Sequence, residues 1–75
     1  MSQTINVHVE YDPDARVWFV EHSDVHGLRL ESPTVEELVE RIPGAIQDLL
    51  EDGNETHDIP IEVIAHRSVS VRLHA

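Results

Sequence analysis

Six histidines in 75 residues are the most concentrated source of possible chemistry in this chain. His22 and His26 flank Asp24, and His8 and His66 become neighbours if the strands that carry them pair. Three imidazoles, or two with a carboxylate, are a zinc ligand set. No His-x-x-x-His pair lies at helical spacing, however, and solvated histidine is the expected state, so no metal or other cofactor is expected. Nucleophilic catalysis has no support. Cysteine is absent, and Ser2, Ser23, Ser32, Ser68 and Ser70 lie in no Gly-x-Ser-x-Gly elbow. With only three glycines there is no phosphate-cradling loop.

The charge balance selects among partners. Fifteen acidic residues stand against five basic ones, all arginine (Arg16, Arg29, Arg41, Arg67 and Arg72), for a formal charge of −10. Such a chain repels nucleic-acid phosphates and anionic membranes, and it attracts a basic protein. Full protonation of the six histidines would bring the charge from −10 to −4, so attraction to a basic partner should weaken near pH 5. No stretch approaches the roughly 20 apolar residues of a membrane helix. The N-terminus has no secretory pattern. A cytoplasmic location is therefore expected.

These side chains must be positioned by a small single domain spanning residues 1–75. Ile5, Val7, Val9 and Tyr11 alternate with Asn6, His8 and Glu10, the period of a strand with one buried face. Asp12-Pro13-Asp14-Ala15 is a turn. A second strand spans about Arg16 to His22, and its apolar run Val17-Trp18-Phe19-Val20 suggests a central position. A turn through Asp24 and Gly27 leads to a short third strand, Leu28 to Glu31. Thr34-Val35-Glu36-Glu37 is a capping box. Val35, Leu38, Val39, Ile42, Ile46, Leu49 and Leu50 then form one helical stripe, so a single helix is expected from Val35 to Glu51, bent at Pro43 and capped by Gly53. After a loop, Ile59, Ile61, Val63 and Ala65 alternate, as do Val69, Val71 and Leu73. These two stretches are either one long strand or two. The fold class is α+β: one mixed sheet in the order β-β-β-α-β, with a possible fifth strand and one helix on one face. A right-handed crossover would make the fourth strand parallel to the first.

Three motifs in order, Tyr11-Asp12-Pro13-Asp14-Ala15-Arg16-Val17-Trp18, Ser23-Asp24-Val25-His26-Gly27-Leu28 and Glu31-Ser32-Pro33-Thr34-Val35-Glu36-Glu37-Leu38, resemble the HicB-like antitoxin superfamily. The resemblance covers about Ile5 to Leu50. It is strongest to a short stand-alone branch labelled a domain of unknown function. It implies a partially degraded ribonuclease-H-like fold and an antitoxin that blocks a small basic ribonuclease toxin. His26 stands where the family often has proline. The DNA-binding segment of many members has no counterpart here, so no direct nucleic-acid binding is expected.

A working ribonuclease-H site would need carboxylates converging on two magnesium ions. The candidates are Glu10, Glu36 or Glu40, and Asp58. Glu10 is not the strand aspartate between apolar neighbours that such a site uses, so no enzyme activity is expected. Partner binding is assigned instead to Trp18, Val20, His22, Asp24, His26 and Arg29. A large aromatic on an uncovered sheet face would be the anchor. Val69, Val71 and Leu73 form a possible oligomer edge, giving a homodimer or higher homo-oligomer. The competing functions are a homo-oligomeric scaffold or small-ligand module without a toxin, and a metal-dependent nuclease-like domain.

Overall fold

A computed structural model of the chain describes residues 3–50 and 58–74. The elements are β1 (Ile5–Asp12), β2 (Val17–Ser23), β3 (Glu31–Ser32), α1 (Val35–Leu50) and β4 (Ile61–His66). They form one mixed sheet in the order β3-β2-β1-β4. β1 pairs antiparallel with β2 and parallel with β4, as the crossover through one helix anticipates. The α+β class and the single helix packed on one sheet agree with the sequence pattern.

The alternation in β1 sets the two faces. Val7 and Val9 are fully buried and pack with Leu38, Ile42 and Ile46 of α1. Burying a side chain of this size contributes about 1.5–3 kcal/mol, which offsets the ordering of a thin core. Asn6, His8 and Glu10 point to the face that carries no helix. On β4 the same division puts Ile61 and Val63 on the core side, beside Ile5 and Val7.

The β1–β2 turn is held by Asp12. Its Oδ1 accepts from the amides of Asp14 at 3.0 Å and Ala15 at 3.3 Å, and its carbonyl accepts from Arg16 N at 2.7 Å. The turn closes with Arg16 at φ 58°, the left-handed region that disfavours a side chain.

The third strand is shorter and later than Leu28–Glu31. Phe19 pairs with Glu31 and Trp18 with Ser32, and one further bond runs from Val20 N to the Leu30 carbonyl. The ladder stops there because β2 bulges at the next residue, Glu21, and bends away. Leu28 instead belongs to a turn closed by its amide on the Val25 carbonyl at 3.5 Å, with Gly27 at φ 86°. Val25 and Leu28 are buried and close the core at that end.

Thr34 Oγ1 accepts from Glu37 N at 3.1 Å and so caps α1. The helix runs unbroken through Pro43, as the continuous stripe required. Val39, Leu49 and Leu50, read as part of that stripe, are exposed because the sheet is too narrow to cover them. The expected cap at Gly53 lies outside the described residues. After His66 the chain makes no turn, and residues 67–74 pair with no strand. Among the described residues a separate fifth strand therefore does not form. The reason lies in β1, which ends at Asp12 and leaves nothing of itself opposite residues beyond 68.

Candidate functional site

The candidate site is the sheet face opposite α1. Its residues fall into rows fixed by strand register. His22, His8 and Ile64 are adjacent across β2, β1 and β4. The next row is Glu31, Phe19, Glu10 and His66, across all four strands. Phe19 and Ile64 are half-buried, and Glu21, His22 and His66 are exposed.

One local irregularity decides who shares this face. Val9 pairs with Val20 and His8 with His22, so Glu21 is an extra residue on β2. Without it, Trp18, Val20 and His22 would all lie on one side by simple alternation. With it, Trp18 and Val20 pack against the core, while His22 turns to the open face beside His8. The uncovered half of the apolar run is thus Val17 and Phe19. Trp18 instead meets Tyr11, ring centres 5.4 Å apart, on the core side. A large aromatic side chain does lie on the open face, but it is Phe19. The Tyr11–Trp18 pairing beside the β1–β2 turn puts Trp18 on the core side, whereas a run of four apolar residues does not itself say which half faces the helix. The only hint is that four successive apolar residues cannot all be covered by one helix.

The imidazole row is continuous. His8 lies 5.8 Å from His22, tilted by 52°, and 5.8 Å from His66, with the planes 5° apart. His8 and His66 are therefore neighbours, as strand pairing requires. The row is a line with no convergent point, and among the described residues no group of three His, Asp or Glu side chains is placed to hold a metal ion. The carboxylates considered for a nuclease site do not converge either. Glu10 faces away from α1, and Glu36 and Glu40 ride on α1 across the sheet. Asp58 is exposed before β4.

Acidic groups frame the face. The Glu21 carboxylate accepts a hydrogen bond from the protonated Glu10 carboxyl and repels its ionised form, which pushes the Glu10 carboxyl above its ordinary value of 4.5. Asp24 stands at the end of the imidazole row. Its Oδ2 accepts from Asn6 N at 2.8 Å and from Asn6 Nδ2 at 3.2 Å. The backbone bond chiefly holds its carboxyl below the ordinary 3.8, with the side-chain bond and nearby His22 and His8 adding to it. Asp24 therefore shapes the turn as well as facing outward. His26 and Arg29 are exposed on the β2–β3 connection. Arg29 lines an open concavity of about 650 Å³ together with Phe19, Glu21, Glu31 and Arg41. Of the six residues assigned to partner binding, the fold brings His22 and Asp24 together on the open face and sets Arg29 at its β3 margin. His26 lies apart on the turn.

No helix among the described residues is long and apolar enough to cross a membrane. Comparison with curated proteins finds no match. Among solved structures, the chain is similar to the hypothetical protein TTHA1013 of the extremely thermophilic bacterium Thermus thermophilus. The identity is 30% and the TM-score 0.66, over 95% of this chain and 100% of that one. A family model described as a domain of unknown function (DUF1902) matches residues 4–75, and the chain belongs to that family.

Proposed function

We propose that this protein is an antitoxin-like binding module of HicB-like type, which neutralises a small basic ribonuclease by covering it. The observation that carries the reading is the open sheet face. It presents Glu10, Glu21, Asp24, Glu31 and Glu62 interspersed with two half-buried apolar side chains, Phe19 on β2 and Ile64 on β4, on either side of His8 and Glu10 of β1. Acidic side chains set among half-buried apolar ones suit a basic protein. The acidic groups steer encounter, and the apolar side chains supply binding energy when they are desolvated. An RNA-cleaving partner carries the positive surface that such a face attracts. The module performs no chemistry of its own in this reading, and it works as an oligomer in the cytoplasm.

The test is genetic and biochemical together. A short basic open reading frame beside the gene should be toxic when expressed alone and harmless when co-expressed. The two products should also purify as a complex that Phe19→Asp disrupts. A lone gene with no toxic neighbour and no bound protein would replace this reading with the homo-oligomeric scaffold, which the exposed C-terminal segment favours.

A further inference from the structure

The chain is polar along its length as well as across its sheet. No acidic residue follows Glu62, whereas Arg67 and Arg72 both lie in the C-terminal segment. That segment leaves the sheet at His66, and Val69, Val71 and Leu73 on it are 84%, 79% and 84% exposed. The Cα radius of gyration is 15.4 Å and the long axis 62 Å, against about 11 Å for the radius of a compact chain of this length. These are the dimensions of a domain with a projecting arm. An arm of alternating apolar residues without a strand beside it is an unpaired edge.

β4 offers the matching edge. It is the last strand of the sheet, and no described strand pairs with its outer side. Arg67 lies over the Tyr11 ring, its Cζ 4.1 Å from the ring centre, so the core-side alternation of β4 continues through residue 67. By the same parity Val69, Val71 and Leu73 fall on the helix side of the sheet. The helix has apolar surface waiting there. Arg41 reaches β3, donating to the Glu31 carbonyl at 2.8 Å and to Ser32 Oγ at 2.9 Å. Val39 and Leu50 sit on the opposite flank, roughly 60–80° round from the buried stripe, and so overhang the β4 edge. Both are exposed.

We propose that two copies of this chain exchange their C-terminal arms about a two-fold axis, each arm adding antiparallel to the outer edge of the other copy's β4. Of the registers that match the faces, the one proposed sets Val69 beside Ala65, Val71 beside Val63 and Leu73 beside Ile61. On the other face it sets Arg72 beside Glu62, an oppositely charged cross-strand pair. The basic arm then lies on the acidic body of its partner, and the two sheets join into one of eight strands. The interface is isologous and closes on itself.

The full-length protein should sediment as a species of twice its 8.5 kDa chain mass at micromolar concentration. Val71→Pro, which removes a ladder donor from the exposed part of the arm beyond the Arg67–Tyr11 contact, should shift it to the monomer with the domain still folded by circular dichroism. Arg72→Glu should weaken the dimer at least tenfold, and adding Glu62→Arg should restore it. The chain has no cysteine, so Ile61→Cys with Leu73→Cys gives a clean cross-link. Under oxidation this pair should form dimers joined between chains, since the two positions lie at opposite ends of the extended strand and arm of one copy. A wild-type monomer at all concentrations overturns the proposal. So does a dimer indifferent to Val71→Pro, or a cysteine pair that gives no inter-chain link.

Discussion

Glu21 is the residue of β2 that has no counterpart on β1, and its carboxylate stands against that of Glu10 on the open face. The bulge that creates this pairing lets Glu21 accept a hydrogen bond from the protonated Glu10 carboxyl and sets two like charges side by side once it ionises, and both raise the Glu10 carboxyl above 4.5. The folded state therefore binds this proton more readily than the unfolded chain does. The stability linked to it is present below 4.5 and is lost as pH rises through the raised folded value. Glu21→Gln should remove the loss. Its urea midpoint should exceed that of wild type at pH 7 and converge with it toward pH 4. Glu21 is exposed and Glu10 half-buried, so the repulsive part of the gain should shrink in 1 M salt, where screening acts over about 3 Å.

Asp24 has the opposite sign. Its folded carboxyl is held below 3.8 by Asn6, so its contribution is present above 3.8 and is lost as pH falls through the lower folded value. Asn6→Ala removes only the side-chain bond, leaving the stronger backbone bond in place. Asp24 should then titrate higher by NMR but still below 3.8. Asp24→Asn should remove this group's share of the loss on the acid limb of the stability curve. A mutant curve parallel to wild type between pH 4 and pH 2 would contradict the assignment.

Arg41 ties the middle of α1 to the short edge strand. Ser32 is 2% exposed, and Arg41 is its hydrogen-bond donor from the helix. Arg41→Met should cost about 1–2 kcal/mol in chemical denaturation, the penalty for a buried hydroxyl deprived of a partner. Ser32→Ala on the same background should recover part of it. Additive losses in the double-mutant cycle would show that the two side chains act independently.

Much of this arrangement is legible in the amino-acid order. The alternation from Ile5 to Tyr11, the Thr34 cap and the stripe through Leu38, Ile42 and Ile46 each report a local period, and a local period survives folding. The parallel place of β4 follows from one crossover helix. What the order does not carry is a change of phase. Glu21 looks like any polar strand residue, yet its extra length moves His22 to the open face and leaves Trp18 in the core. The same bulge truncates β3, because a strand cannot follow a partner that bends away. The arm is a different case. Its alternation is as clean as that of β4, but alternation records which residues share a face and is silent on which chain supplies the neighbour.

Trp18 and Phe19 are adjacent in sequence and face opposite ways, so replacing each should separate folding from binding. Trp18 packs against the core and the Tyr11 ring. Its truncation to Ala should cost about 2–4 kcal/mol of stability, somewhat less than for a fully buried aromatic. Phe19 touches the open face, where Glu10 and Glu31 are its cross-strand neighbours. Phe19→Ala should cost under about 1.5 kcal/mol of stability, since little packs over the ring. If Phe19 is the anchor for a basic partner, the same change should weaken that complex by about 2 kcal/mol, roughly thirtyfold, measured by titration calorimetry on protein verified as folded. Trp18→Ala should leave the affinity of the remaining folded fraction within threefold of wild type. The reverse pattern, with affinity following Trp18 and indifferent to Phe19, would move the docking surface off the open face and onto the helix side.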